Sequence, residues 1–182
     1  MSSKTDYIFK ALNVVSWIIF VGVCIEAGGF IFNTFFTLLL NPAGAIRFWT
    51  EVNLSELYYY NQRDYVAVTS LMIIVAVMRA LMFYFIVKIF HEKKLNLSQP
   101  FNETVRRFIL RIAYLGLGIG LFSFWGAKYS EGLVNKGVKI PDLQYLRLGG
   151  ADVWLFMGIT LLIIAQIFKK GIELQNENDL TV

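Results

Sequence analysis

Four apolar runs dominate the chain, and two of them carry a charge near their middle. The first extends from about Leu12 to Leu40 and holds Glu26. The second extends from about Val66 to Phe90 and holds Arg79. A helix of roughly 20 apolar residues is long enough to cross a bilayer. An ionisable group at its centre is costly unless it finds a partner, so an acid and a base at matching depth predict an internal ion pair. The pattern predicts an all-α protein, a four-helix transmembrane bundle.

Composition agrees. Hydrophobic residues make up 57% of the chain and charged residues 16%, against about 45–50% apolar in soluble domains; the mean hydropathy is +0.57. The 182 residues form a single transmembrane domain, with spans at about 13–40, 65–90, 108–127 and 152–168 and no room for a separate soluble domain. Asn41-Pro42 ends the first span, because the residue before proline is pushed out of helical conformation. Ser98-Gln99-Pro100 is read as the start of the third helix, and Gly149-Gly150 precedes the fourth. The segment Met1 to Lys10 resembles the charged start of a signal peptide, but the apolar run behind it is about twice the usual length and shows no small-residue cleavage site before its end. It is read as a retained helix. The lone Cys24 excludes a disulfide within the chain.

Orientation follows from lysine and arginine placement. Lys4, Lys10, Lys88, Lys93, Lys94, Arg106, Arg107, Arg111, Lys169 and Lys170 fall on one side, ten in all. Arg47, Arg63, Lys128, Lys136, Lys139 and Arg147 fall on the other, six in all. The bias places both termini in the cytoplasm and leaves two outer loops of about 25 residues. Aromatic residues crowd the first of these: Phe48, Trp49, Tyr58, Tyr59, Tyr60 and Tyr65. With Trp125, Tyr129 and Trp154 they are expected at the headgroup level; the other reading is a surface that meets a ligand or subunit. The formal charge of +4 is read as basic loops facing anionic lipid at the cytoplasmic face, with no direct nucleic-acid contact.

Glu26 lies about 18 Å into the first span and Arg79 about 13 Å from the cytoplasmic end of the second, at about 1.5 Å per residue. The depths agree within about one turn, and consecutive spans usually pack as neighbours. A Glu26–Arg79 contact serves either as a pin that sets helix register or as part of an ion or proton pathway. The other intramembrane polar residues are few (Asn33, Ser70, Ser123, Thr160 and Gln166), which favours the pin. Gly116 and Gly120 form a GxxxG spacing, suited to close packing within the bundle or to association with another copy. His91 is the only histidine. No metal site, cofactor site, nucleophile–base arrangement or phosphate loop is legible, so no enzymatic activity is expected.

The C-terminal stretch Gly171-Ile172-Glu173-Leu174-Gln175-Asn176-Glu177-Asn178-Asp179-Leu180-Thr181-Val182 resembles the closing signature of a bacterial family of small four-helix membrane proteins of unknown function. Pro100-Phe101, Arg106-Arg107 and Arg111-Ile112-Ala113 are similar to that family's second cytoplasmic element. The resemblance covers the second half of the chain, and the first half by hydropathy only. It implies location in the bacterial cytoplasmic (inner) membrane and no assigned activity. Genes of such proteins often stand beside one for a small helix-turn-helix regulator, so the resemblance also implies a regulatory partner. Glu173, Glu177 and Asp179 form an acidic end, and a continued helix puts Glu173 and Glu177 on one face. That end is either a solvated anchor of span four or a docking peptide for a basic partner or for the chain's own Arg106 and Arg107.

Three functions follow. The leading one is a non-catalytic interaction or regulatory protein acting through its cytoplasmic loop and acidic tail. The alternatives are a small transporter or channel-like protein using Glu26 and Arg79, and an accessory subunit of a larger envelope complex. A homo-oligomer is compatible with each.

Overall fold

The structure, a computed structural model, describes residues 2–91 and 101–179, with side chains described for 7–91 and 101–177. The elements in chain order are α1 (Ser2–Leu39), a 3-10 turn (Pro42–Arg47), α2 (Ser55–Tyr60), α3 (Gln62–His91), α4 (Glu103–Val134) and α5 (Ala151–Asp179). There is no strand among the described residues; one isolated bridge joins Trp49 and Val52. Four stretches are long and apolar enough to cross a membrane: Tyr7–Leu39, Gln62–His91, Glu103–Val134 and Ala151–Glu177. The chain is a multi-pass membrane protein of four spans.

The long helices pack in series, α1 on α3, α3 on α4 and α4 on α5; among the described residues no Cα of α1 comes within 8 Å of one in α5. Phe9 meets Phe90 at 6.2 Å and Phe101 meets Phe168 at 5.3 Å between ring centroids. The start of α1, the end of α3, the start of α4 and the end of α5 therefore share one end of the molecule, here the terminal end. The links 40–61 and 135–150 share the opposite, cap end.

Local chemistry sets the boundaries. The Asn41 side chain accepts a hydrogen bond from the Ala43 amide at 2.9 Å, with Pro42 opening the 3-10 turn behind it; asparagine suits this position because its carbonyl satisfies an amide the turn leaves open. Asn102 caps α4 in the same way, accepting from Val105 at 2.9 Å. The expected start at Ser98-Gln99-Pro100 lies outside the described residues. Gly150, at φ +73°, turns the chain into α5 through the left-handed region that glycine enters without a Cβ clash.

The helices outrun the apolar runs. At about 1.5 Å per residue, the 32 residues of α4 extend roughly 48 Å, some 18 Å beyond a hydrocarbon core of about 30 Å. Its last turns carry a Lys128–Glu131 pair at 2.7 Å, three residues apart, which suits a helix in water. Hydropathy marks the hydrocarbon and not the end of the helix, so the second cap link is 135–150 and not about 25 residues.

The cap end has a dense core. Phe30, Phe48, Leu54, Leu57, Tyr65, Leu146 and Leu148 are completely or almost completely buried. Phe48 meets Phe30 at 5.8 Å and Tyr65 edge-on at 6.2 Å; Tyr58 meets Tyr65 edge-on at 5.3 Å. This corrects the interfacial expectation for Phe48, Tyr58 and Tyr65. Link 40–61 folds on itself, with Leu54 donating to the Ala45 carbonyl at 2.8 Å and Phe48 to Val52 at 3.1 Å, and closes its aromatics inside. Tyr59, Tyr60, Trp125 and Tyr129 remain exposed.

The GxxxG glycines pack within the chain. A Cβ on Gly116 would lie 3.5 Å from the Gly158 Cα, and one on Gly120 2.6 Å from Leu155. In a bilayer such close backbone approach replaces the missing hydrophobic drive between helices.

Candidate functional site

Glu26 and Arg79 stand at one level. Phe20 of α1 meets Tyr84 of α3 at 6.3 Å. Measured toward the cap, Glu26 lies about 9 Å and Arg79 about 7.5 Å beyond that contact, at about 1.5 Å per residue. The depth matching read from the sequence is present. The direct pair is not, and a third residue explains why.

Arg147, from link 135–150, donates its Nε to Glu26 Oε1 at 2.6 Å. Arg79 donates Nη2 to the Arg147 backbone carbonyl at 2.9 Å. Its guanidinium also stands 5.5 Å from the centre of the Trp154 ring on α5. Arg79 thus acts on Glu26 through space but binds the segment that delivers Glu26's partner. The Glu26 side chain is 15% exposed and that of Arg147 50% exposed. A charge-assisted contact of this length is among the stronger hydrogen bonds a protein makes.

Arg147 adopts φ +60°, a left-handed conformation uncommon for a residue with a Cβ. That turn allows one residue to send its side chain to α1 and its carbonyl to α3. Beside it a polar cleft of about 330 Å³ is bordered by Arg79, Gln144, Arg147 and the Gly149-Gly150 pair. Sequence reasoning counted Arg147 among the outer-loop cations. Its position a few residues before span four was the available signal.

Ser16, Thr34, Thr69 and Thr160 return their hydroxyls to the carbonyl four residues back, at 2.7–2.8 Å. These hydroxyls are satisfied within their own helices. Among the described residues no group of three His, Cys, Asp or Glu is placed to hold a metal ion.

At the terminal end, Arg106 binds both carboxylate oxygens of Glu103, at 2.8 and 3.1 Å, and Arg107 binds one at 3.0 Å. Glu173 pairs within its own helix, with Lys170 at 3.2 Å and Lys169 at 3.9 Å. The structure does not join Glu173 to Arg106 or Arg107. Glu177 is exposed, and the Asp179 side chain lies outside the described residues.

These features define the class: a four-span integral membrane protein whose intramembrane charges are joined by a loop arginine. Residues 49–182 match the family described as "Protein of unknown function (DUF2975)", and the chain belongs to that family. The match includes Arg79, Arg147 and the acidic tail; Glu26 lies outside it. No curated protein and no solved structure matches the chain.

Proposed function

We propose that this chain is a non-catalytic interaction or regulatory protein of the bacterial cytoplasmic membrane, with its terminal end in the cytoplasm. The orientation rests on the ten-to-six excess of lysine and arginine on the side of the termini. One observation carries the partner reading. Helix α5 continues past Phe168 to Asp179, about 16 Å at 1.5 Å per residue, and its base is held where Phe101 lies on Phe168 and Gly171. Leu174 and Glu177 are exposed on this extension, three residues apart and therefore on neighbouring positions of one face. An apolar anchor beside an acid on a preformed helix is suited to a basic groove. The family resemblance makes a small helix-turn-helix regulator the first partner to test.

The transporter alternative would use the cleft beside Arg79. The closed Glu26–Arg147 contact supports a pin over a pathway.

The test is recovery of partners from mild detergent by the full chain and by a chain lacking 173–182, with such a regulator supplied. The full chain is expected to retain it, and both the truncated chain and a Glu173→Lys, Glu177→Lys variant to release it. Equal recovery by the truncated chain would show that the tail is not the docking element.

A further inference from the structure

We propose that the cleft between Arg79 and the Gly149-Gly150 pair binds a single oxyanion of the phosphate class in the guanidinium fork of Arg79. The cleft has a volume of about 330 Å³ and is bordered by Arg79, Gln144, Arg147, Gly149 and Gly150. Charge is out of balance here. Arg79 and Arg147 bring two cations to one acid, Glu26, and Arg147 takes that acid at 2.6 Å. Arg79 pairs with no carboxylate among the described residues. Asp152, in the first turn of α5, is exposed and does not border the cleft. A cation on a membrane span is costly without a counter-ion.

The donors are available as well. Of the three Arg79 side-chain nitrogens, Nη2 alone has an acceptor among the described residues, the Arg147 carbonyl at 2.9 Å. Nε is sealed and unbonded, so the edge open to a ligand is that of the two Nη atoms. Trp154 lies against the guanidinium at 5.5 Å, a ring contact that leaves the N–H edge clear. Gln144 is exposed, and its side-chain amide has no partner among the described residues. Gly149 and Gly150 border the cleft with backbone alone, and their amides donate to no backbone carbonyl among the described residues. A planar fork with a carboxamide and bare amides beside it is a donor set suited to an oxyanion. The level is that of a headgroup. Ala151, which opens α5, lies about 25 Å along the helix from Phe168 at 1.5 Å per residue, and Lys169-Lys170 follow Phe168. A hydrocarbon core is about 30 Å thick, so the cleft opens near the boundary on the cap side. The oxyanion can reach it as the phosphodiester of an anionic lipid or as free phosphate. The site uses neither the tail nor a protein partner, so it stands or falls separately from the partner reading.

The experiment titrates the full chain, in an uncharged detergent at fixed ionic strength, with phosphatidylglycerol or with inorganic phosphate, and follows the shift of the thermal midpoint. A saturable rise is expected. A rise with phosphatidylglycerol alone identifies the ligand as lipid, and one with inorganic phosphate as well identifies it as a soluble oxyanion. Arg79→Gln should raise the half-saturating concentration about tenfold, the value of one hydrogen bond to a charged group. Arg79→Lys keeps the charge and should bind better than Arg79→Gln, which separates lost charge from disturbed fold. Gln144→Glu sets a carboxylate at the rim without removing a cation. It should weaken binding as Arg79→Gln does, a result that would not follow if Arg79 served only to hold the Arg147 carbonyl. Lys136→Gln removes a cation from the same link outside the cleft and should change nothing. An equal rise in the unaltered chain and in Arg79→Gln, or no saturable rise with either ligand, overturns the site. Equal weakening by Lys136→Gln would reduce the effect to diffuse surface charge and overturn it too.

Discussion

The cap end and the lipid-crossing part of α1 both carry large apolar side chains, yet they use that surface in opposite ways. In the cap, Phe48, Leu54, Leu57 and Tyr65 are sealed from solvent. Along α1 only 6% of the most apolar window is buried inside the protein, against 33% in α4, and Val14, Ile18, Val21 and Ile25 point outward. Water forces apolar groups together; hydrocarbon does not, and helices there associate through close backbone approach and polar contacts. The lesson is that burial, and not hydrophobicity, marks which residues hold this fold together.

Truncation in the two regions tests that contrast most strongly. Phe48→Ala removes a fully buried ring and is expected to cost about 3–5 kcal/mol, whereas Ile18→Ala on the outward face of α1 should change stability by less than about 0.5 kcal/mol. Unfolding in detergent with denaturant measures both, and comparable losses would erase the distinction.

Glycine substitutions come next. Gly158→Ala sets a Cβ 2.7 Å from the Leu117 side chain and 2.9 Å from its backbone nitrogen, an overpacking expected to cost about 2–3 kcal/mol. Gly22 has nothing within 4 Å of its built Cβ, so Gly22→Ala should gain about 0.5–1 kcal/mol from helix propensity. The pair of thermal midpoints should move in opposite directions.

The latch lies between these extremes. Arg147→Ala leaves the largely buried Glu26 without its partner; because the Arg147 side chain is half exposed, the loss should be about 2 kcal/mol, below that of a fully buried pair. Glu26→Leu combined with Arg147→Leu should recover most of it. Arg79→Ala gives up one hydrogen bond and one ring contact, about 1 kcal/mol in all. If Arg79→Ala proves the more damaging single change, Arg79 and not Arg147 is the principal partner of Glu26.

The four spans were legible because length and hydropathy report directly on solvent. The Asn41 stop was legible because the restriction a proline places on the residue before it is local. The cap was not: a tyrosine at a lipid interface and one in a small core have the same neighbours in sequence, and Tyr58 and Tyr59 differ only in which way link 40–61 turns. Glu26 and Arg79 were found because each is alone in an apolar run. Arg147 was hidden because its contact spans 121 positions and requires a left-handed residue within a link that reads as ordinary loop.

That separation has a consequence for how the protein is made. Glu26 leaves the ribosome long before Arg147 is translated, so the first hairpin enters the bilayer with Arg79 as the one base at its level. The permanent partner arrives on the strand of chain that introduces the last crossing. Neutralisation of the first crossing therefore waits on the link that introduces the last, and a nascent chain halted before residue 147 carries its acid incompletely matched.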